Sequence, residues 1–237
     1  DDENALRVDG AEVTLDDITV KKSGGNSSNT EDGDFYGQNA ALLATNGATV
    51  SVRNARILSS AQNGNGVFSY GEGTTVNISD SVITTTADNS GGLQTTGGGT
   101  TNASDLTIET SGNSSAAIRS DRGGGTVNAD GGSYTSNGLN SPAVYSTADI
   151  TVKNAALTAN NSEALVIEGQ NSITLENCTV SGSMSENGTS ADENTHNVMI
   201  YQSMSGDAEV GTSNFSMTGG SLTGKNGDLF YITNTHS

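Results

Sequence analysis

The sequence lacks most of the side chains from which an ordinary globular core is built. Its 237 residues include no tryptophan, four phenylalanines and one proline, and hydrophobic residues make up only 32%. These shortages exclude a thick core of large side chains but permit a thin core shared by stacked repeats. Disorder is the alternative for so polar a chain, and the regular spacing of the apolar residues argues against it.

Basic residues are also scarce. Nine Lys and Arg side chains stand against 27 Asp and Glu, which gives a formal net charge of -18. Such a chain repels nucleic acid, so we predict no nucleic-acid partner. The acidity is typical of a soluble extracellular or surface-attached protein, and it leaves open that some of the carboxylates bind calcium.

The single cysteine, Cys178, excludes an internal disulfide framework, and we expect it to be a small structural residue near a corner of the fold. No apolar run of 18 residues is present, so we predict no insertion into a membrane. The chain opens on the acidic residues DDEN without a signal peptide. We therefore expect a mature or excised segment of a larger secreted protein, with its export signals and anchor outside residues 1–237.

An eight-residue template occurs eight times. Its copies are VTLDDITV (13–20), VSVRNARI (50–57), VNISDSVI (76–83), TNASDLTI (101–108), VNADGGSY (127–134), ITVKNAAL (150–157), ITLENCTV (173–180) and FSMTGGSL (215–222). Strand-like alternation at a period of about 25 residues predicts a three-stranded parallel β-solenoid of eight to nine coils. We predict a single domain with two loop insertions, at residues 21–38 and 182–197.

Within the template, positions one, three and eight are apolar, and we expect them to point inward in three stacks. Position five is always Asp, Asn or Gly, residue types that tolerate a left-handed backbone. The template therefore predicts a corner at position five of every repeat.

A second repeated strand precedes each glycine-rich turn. Because Arg119 and Asp121 are charged, we expect this strand to point them outward and Ile118 inward. The same alternation predicts two outward rows. The first row is Arg7, Leu43, Phe68, Gln94, Arg119, Tyr145, Val166, Ile200 and Phe230. The second is Asp9, Thr45, Tyr70, Thr96, Asp121, Thr147, Glu168, Gln202 and Ile232.

This outward face carries the candidate ligand-binding residues. They are Phe68, Tyr70, Gln94, Arg119, Asp121, Arg122, Tyr145 and Glu168. Exposed aromatic rings beside planar polar groups suit the apolar ring faces and hydroxyl edges of extended sugars. The alternative is that the large side chains pack across strands, or are covered by the two insertions, which we expect to rise at either end of the rows.

An enzymatic interpretation uses the same residues. Asp121 and Glu168 lie two repeats apart, roughly 9.6 Å along the strand-pairing direction, which approaches the carboxylate spacing of an inverting glycosidase. Arg119 or Arg122 beside a metal-bound carboxylate would instead indicate a uronate lyase. We assign no catalytic residue, because the sequence has no HExxH, P-loop or Rossmann motif, and we expect His196 and His236 to be solvated.

Calcium has one local candidate site, formed by Glu31, Asp32 and Asp34 in the first insertion, because clustered oxygen ligands suit this cation. Asp192 and Glu193 form a weaker candidate. An ice-binding surface would need a regular threonine ladder. Template position two, which is expected to face outward, is a mixture of Thr, Ser and Asn instead.

With these repeats in view, the chain resembles the right-handed parallel β-helix superfamily typified by pectate lyases, and more closely the β-helical regions of bacterial secreted adhesin-like surface proteins. Phrases such as NSSAAIRSDRGGGTVNADGGSYTSNG and SEALVIEGQNSITL carry the resemblance. It implies a right-handed helix and an adhesive or carbohydrate-binding module whose partner is a polysaccharide or host-surface glycan. A polysaccharide lyase or hydrolase, and a purely structural stalk, are the alternatives. Open strands at both ends predict end-to-end contacts or flanking capping domains.

Overall fold

The computed structural model of the chain describes residues 1–185, 194–203 and 205–234, which form strands and one short helix. The elements of the first half are β1 (Leu6–Asp9), β2 (Glu12–Asp16), β3 (Thr19–Lys22), α1 (Thr30–Tyr36), β4 (Leu42–Thr45), β5 (Thr49–Arg53), β6 (Arg56–Ser59), β7 (Val67–Tyr70), β8 (Thr75–Ser79), β9 (Val82–Thr85), β10 (Leu93–Thr96) and β11 (Gly99–Thr110). Those of the second half are β12 (Ile118–Ser120), β13 (Gly125–Ser136), β14 (Val144–Ser146), β15 (Asp149–Lys153), β16 (Ala156–Ala159), β17 (Leu165–Glu168), β18 (Ser172–Gly182), β19 (His196–Tyr201), β20 (Asn214–Gly224) and β21 (Asp228–Thr233). The expected all-β class is confirmed.

The strands form two parallel sheets. Sheet A has nine strands in the order β1-β4-β7-β10-β12-β14-β17-β19-β21, and sheet B contains the other 12. Each strand pairs in parallel with its counterpart one repeat further along the chain. Parallel strands need long crossover connections, and here each repeat is the crossover. The arrangement is compatible with a parallel β-helix.

Sheet B contains both the second and the third strand of each repeat. The long strands β11, β13, β18 and β20 run through the corner between them without a break. At that corner, every residue at template position five has a positive φ. They are Asp17, Asn54, Asp80, Asp105, Gly131, Asn154, Asn177 and Gly219. Because L-residues other than Asn and Asp rarely adopt this conformation, the corner explains their recurrence, and the predicted corner is confirmed.

The three predicted inward stacks are confirmed residue by residue. Val127, Ala129 and Tyr134 of β13, for example, pair with Thr101, Ala103 and Ile108 of β11. The stacks form one continuous core, whose members in the two terminal repeats are partly buried except for the buried Val20. Tyr134 is completely buried beside the small Ala129, so large and small side chains compensate between neighbouring positions. Cys178 is buried in the same core, as expected.

The predicted outward rows of sheet A are correct through Val166 and wrong in the last two strands. Val166 pairs with Met199, which pairs with Tyr231, whereas the sequence pattern predicted Ile200 and Phe230. In the second row, Glu168 pairs with Tyr201 rather than with Gln202, and Tyr201 pairs with Thr233 rather than with Ile232. Ile200 belongs to the core, and a shift of one residue exchanges the two faces of a strand.

The first insertion folds onto sheet A. Asn29 caps α1 by accepting a hydrogen bond from the Glu31 amide, and Gly37 ends it in a left-handed conformation with φ 72°. A Cβ at Gly37 would lie 2.6 Å from a Leu43 methyl carbon and 2.8 Å from the Phe68 ring. This close approach places the insertion across the sheet, so the expectation that it rises at one end of the rows is wrong.

The second insertion, predicted at 182–197, lies largely outside the described residues. Within the described part, β18 ends at Gly182 and β19 begins at His196. Across the described ranges, no helix has the length and apolar character that crossing a bilayer would need.

Candidate functional site

The outer face of sheet A brings the predicted candidate residues onto one face, but part of that face is covered. Phe68 and Gln94 are completely buried. The Gln94 side-chain amide donates to the Asp34 carbonyl at 3.0 Å, and the Thr96 hydroxyl donates to the Phe35 carbonyl at 2.6 Å. The predicted exposure of this part of the face is therefore wrong, because α1 lies over it. The alternative interpretation, in which an insertion covers these side chains, is correct for this part of the face.

Tyr70 lies at the edge of the covered part. It is partly exposed and packs edge-on against Tyr36 of α1, with 5.4 Å between the ring centroids. Together with the buried side chains of Ala40, Leu43 and Phe68, it forms a small apolar cluster separate from the main core. This cluster fixes α1 on the sheet.

Arg119 lies at the centre of the remaining face and pairs with two carboxylates. Its guanidinium is 2.5 Å from Asp121 Oδ2 and 3.5 Å from Asp34 Oδ1. Only 17% of the Arg119 side chain is exposed, and both carboxylates are more buried still. Asp121 comes from β12's own repeat and Asp34 from the insertion, so the arginine ties α1 to the sheet.

Burial shifts the pKa of each group in this cluster. The pKa of Asp34 and that of Asp121 are raised above the ordinary range, because dehydration outweighs the attraction of Arg119. Burial alone would lower the pKa of Arg119, but the two carboxylates raise it. The Arg119 guanidinium thus pairs with both carboxylates and keeps its positive charge.

Arg122 joins the two segments that flank the face. Its guanidinium stacks over the Phe35 ring at 4.1 Å and binds Asp207 through Nε at 3.1 Å and Nη2 at 2.7 Å. Its pKa is raised, first by the hydrogen bond to Asp207. The residue therefore connects the two segments, and its role as a ligand contact stays a prediction.

Glu168 is a buried carboxylate surrounded by hydroxyl groups. It is 1% exposed and accepts hydrogen bonds from the hydroxyls of Tyr145 and Ser203, and from Tyr201 at 3.2 Å. Burial raises the pKa of Tyr145 and of Tyr201, which keeps both as donors. These donors satisfy most of the acceptor capacity of the carboxylate, so it holds the tyrosines in place.

An open pocket of 180 Å³ remains between these groups. Its lining residues are Ser114, Ala116, Arg119, Asn140, Pro142 and Tyr145. The Arg119 guanidinium lies 5.9 Å from the centroid of the Tyr145 ring, in a cation–π arrangement. The pocket thus combines an aromatic ring, a proline, an amide and a fixed cation, a set that can bind a small polar ring compound.

The predicted calcium ligands do not converge. Asp34 is turned inward to Arg119, and within the described ranges no three or more His, Cys, Asp or Glu side chains form a group that could hold a metal ion. Glu31 and Asp32 occupy the first turn of α1, where acidic residues favour the positive end of the helix dipole. The weaker candidate, Asp192 and Glu193, lies outside the described residues.

His196 is not solvated, contrary to the prediction. It is 1% exposed at the start of β19, with Nε2 3.4 Å from Glu163 Oε1 and its ring stacked on Tyr231. Burial acts to raise the pKa of Glu163, but hydrogen bonds from His196 and Ser162 lower it. The pair is therefore buried where β17 and β19 begin. His236 lies outside the described residues.

Sequence reasoning missed Phe35, Tyr201, Ser203 and Asp207, which complete the face. The shift of register in β19 concealed Tyr201. The separation of 42 residues between the last two template copies gave no signal for the segment that carries Ser203 and Asp207, because the insertion at 182–197 already accounts for the excess over an ordinary repeat.

Comparisons of the chain with protein-family profiles, with curated proteins and with solved structures found no match.

Proposed function

We propose that the chain is a right-handed parallel β-helix with three strands per coil, and that it serves a secreted or cell-surface protein as a non-catalytic carbohydrate-binding or adhesive module. The right hand follows the general preference of parallel crossover connections. The pocket of Arg119 and Tyr145 is the contact site, and its ligand is one sugar unit of a glycan.

The lining of the pocket supports this assignment. Tyr145, beside the buried Pro142, offers apolar surface to the face of a sugar ring, while Arg119, Asn140 and Ser114 offer polar groups to its hydroxyls. At 180 Å³ the pocket is smaller than the sites of drug-sized ligands, which favours a single sugar unit. The net charge of -18 disfavours acidic polysaccharides, so the preferred glycan is uncharged.

The internal ion pairs and hydrogen bonds of the carboxylates support binding without catalysis. Asp34 and Asp121 are both engaged by Arg119, and Glu168 accepts several hydroxyl donors. A general acid or base must reach the reacting group of a bound substrate. With its three acids committed to internal partners, the face is suited to a fixed binding surface rather than to hydrolysis or elimination.

Two variants test the pocket on a printed array of mono- and oligosaccharides. Tyr145→Ala removes the ring, and Asn140→Gly removes the amide without straining the backbone, because Asn140 has φ 51°. Asn89→Gly is the matched control: Asn89 has the same φ of 51° and does not line the pocket.

We expect Tyr145→Ala to weaken binding by about tenfold or more, as for a central aromatic contact, and Asn140→Gly to weaken it less. Asn89→Gly should bind as the unmodified chain does. Equal binding by all three variants, each with an unchanged circular dichroism spectrum, would show that the pocket is not the glycan site.

A further inference from the structure

A second, larger concave site lies on the outer face of sheet B. It is a trough of 630 Å³ between two columns of outward side chains. One column is template position two: Thr14, Ser51, Asn77, Asn102, Asn128 and Thr151. The other is position four, which includes Ser79 and Ser104 at its centre. The trough crosses six repeats, about 24 Å at roughly 4.8 Å per strand.

The column at position two contains a ladder of side-chain amides. Asn128 Nδ2 donates to Asn102 Oδ1 at 3.0 Å, and Asn102 Nδ2 donates to Asn77 Oδ1 at 2.9 Å. Each amide has two N–H donors and an oxygen with two lone pairs. The ladder uses one donor of Asn102, so an evenly spaced series of donors and acceptors remains for a ligand.

Charged side chains line the two ends of the trough. At one end Arg53 binds Asp16 at 2.7 Å. At the other end Lys153 binds Glu176 at 3.0 Å, and Asp130 accepts a hydrogen bond from the Asn154 side-chain amide at 2.7 Å. The middle is lined by neutral amides and hydroxyls and by no aromatic ring. The middle of the trough therefore has no charged side chain with which a charged polymer could pair.

The floor of the trough excludes a peptide strand as the occupant. The floor residues Val52, Ile78, Ala103 and Ala129 belong to interior strands, each paired with a neighbour on both sides. Their main-chain groups are used within the sheet, so β-strand addition has no edge here. What fits is a linear polymer that presents hydroxyl groups at regular intervals.

We infer that the trough of sheet B is a second binding site, which holds an extended, uncharged polysaccharide lying along the stacking direction of the repeats. It is on a different sheet from the Arg119–Tyr145 pocket and does not depend on it. The pocket accommodates one sugar unit, whereas the trough contacts a run of several.

The test is isothermal titration calorimetry of the full chain with cellohexaose, laminarihexaose, xylohexaose and maltohexaose. Asn102→Lys places a long side chain in the middle of the trough. Thr107→Lys is the matched control, since Thr107 is exposed on the same strand, β11, beyond the corner at Asp105 and outside the trough.

At least one hexasaccharide should bind, and Asn102→Lys should weaken its binding by about tenfold or more, while Thr107→Lys stays within about twofold. Tyr145→Ala should leave unchanged the part of this binding that Asn102→Lys weakens. No binding of any of the four, or equal binding by the Asn102→Lys variant, would overturn the inference. Loss of hexasaccharide binding in Tyr145→Ala alone would place the ligand in the pocket and leave the trough without a role.

Discussion

Asn and Asp at the corner of the repeat show how single residues determine this architecture. A short polar side chain that tolerates positive φ occurs at the same template position in most repeats, and glycine replaces it at Gly131 and Gly219. The outer face of sheet A also depends on single residues, because the one guanidinium of Arg119 pairs with two buried carboxylates.

Tyr134 carries a buried hydroxyl that makes no hydrogen bond with the described residues. Burial also raises its pKa, so the phenol stays neutral. Tyr134→Phe removes this unsatisfied group, and we expect the free energy of unfolding to rise by about 1 kcal/mol. Chemical denaturation measures the change, and a loss of stability in this variant would reveal a partner for the hydroxyl.

The acids around Arg119 predict a particular pH dependence. Because the folded-state pKa of Asp34 is raised, its contribution to stability is present below its unfolded pKa and is lost as pH rises through the folded value. Asp34→Asn should therefore gain stability relative to the unmodified chain between pH 4 and pH 7, measured by urea denaturation at both. A variant that loses stability relative to the unmodified chain over this interval would contradict the raised pKa.

At the scale of the element, α1 determines which part of the face a ligand can reach. It covers Phe68 and Gln94 and leaves the pocket beside Arg119 open. The acidic residues of its sequence suggested a calcium site. Phe35, near the C-terminal end of α1, is buried under the Arg122 guanidinium and holds the helix on the sheet, whereas the exposed Tyr36 makes only an edge contact with Tyr70.

Removing the Phe35 ring tests this docking. Phe35 is 8% exposed and lies under the Arg122 guanidinium. Phe35→Ala should lower the free energy of unfolding by about 3 kcal/mol, the usual cost for a buried aromatic, and should expose Glu31 to Glu-specific proteolysis. Tyr36→Ala is the control on the same helix; its side chain is 46% exposed, and we expect a cost below about 1 kcal/mol. Equal effects of the two variants would mean that α1 is not anchored through Phe35.

The strands of sheet A show the limit of pattern reading at this scale. Where charged residues such as Arg119 fix the alternation, the predicted face is correct. In β19 and β21 four consecutive residues are apolar, VMIY and LFYI, so both faces fit the pattern and the prediction was shifted by one residue. Short apolar strands do not specify their own register.

At the scale of the whole molecule, the repeat period, the inward stacks and the corner were predictable, because each recurs many times in one chain. The cover over the rest of the outer face of sheet A was not, because it comes from α1 and from the segment that carries Asp207, and neither segment repeats. Asp34 and Asp207 are far from Arg119 and Arg122 in sequence, and no local pattern links them.

The last strand of sheet A predicts association at the C-terminal end. In β21, Leu229, Phe230 and Ile232 are between 39% and 50% exposed along an edge with no described neighbour. We propose that a second copy or a flanking coil covers this edge. Sedimentation velocity should show concentration-dependent association of the chain that Ile232→Lys abolishes and Val210→Lys, at a residue outside the strands, does not. A monomer at every concentration would exclude self-association as the cover.

We expect the outer face of sheet A to bind a glycan without cleaving it. The most direct measurement incubates the chain with a glycan that it binds on the array, and follows both retention of the glycan and the appearance of new reducing ends and unsaturated uronates. We expect the glycan to be retained, with no new reducing ends and no unsaturated uronates. Release of either product at a rate that requires Asp121 or Glu168 would contradict it and would identify a hydrolase or a lyase.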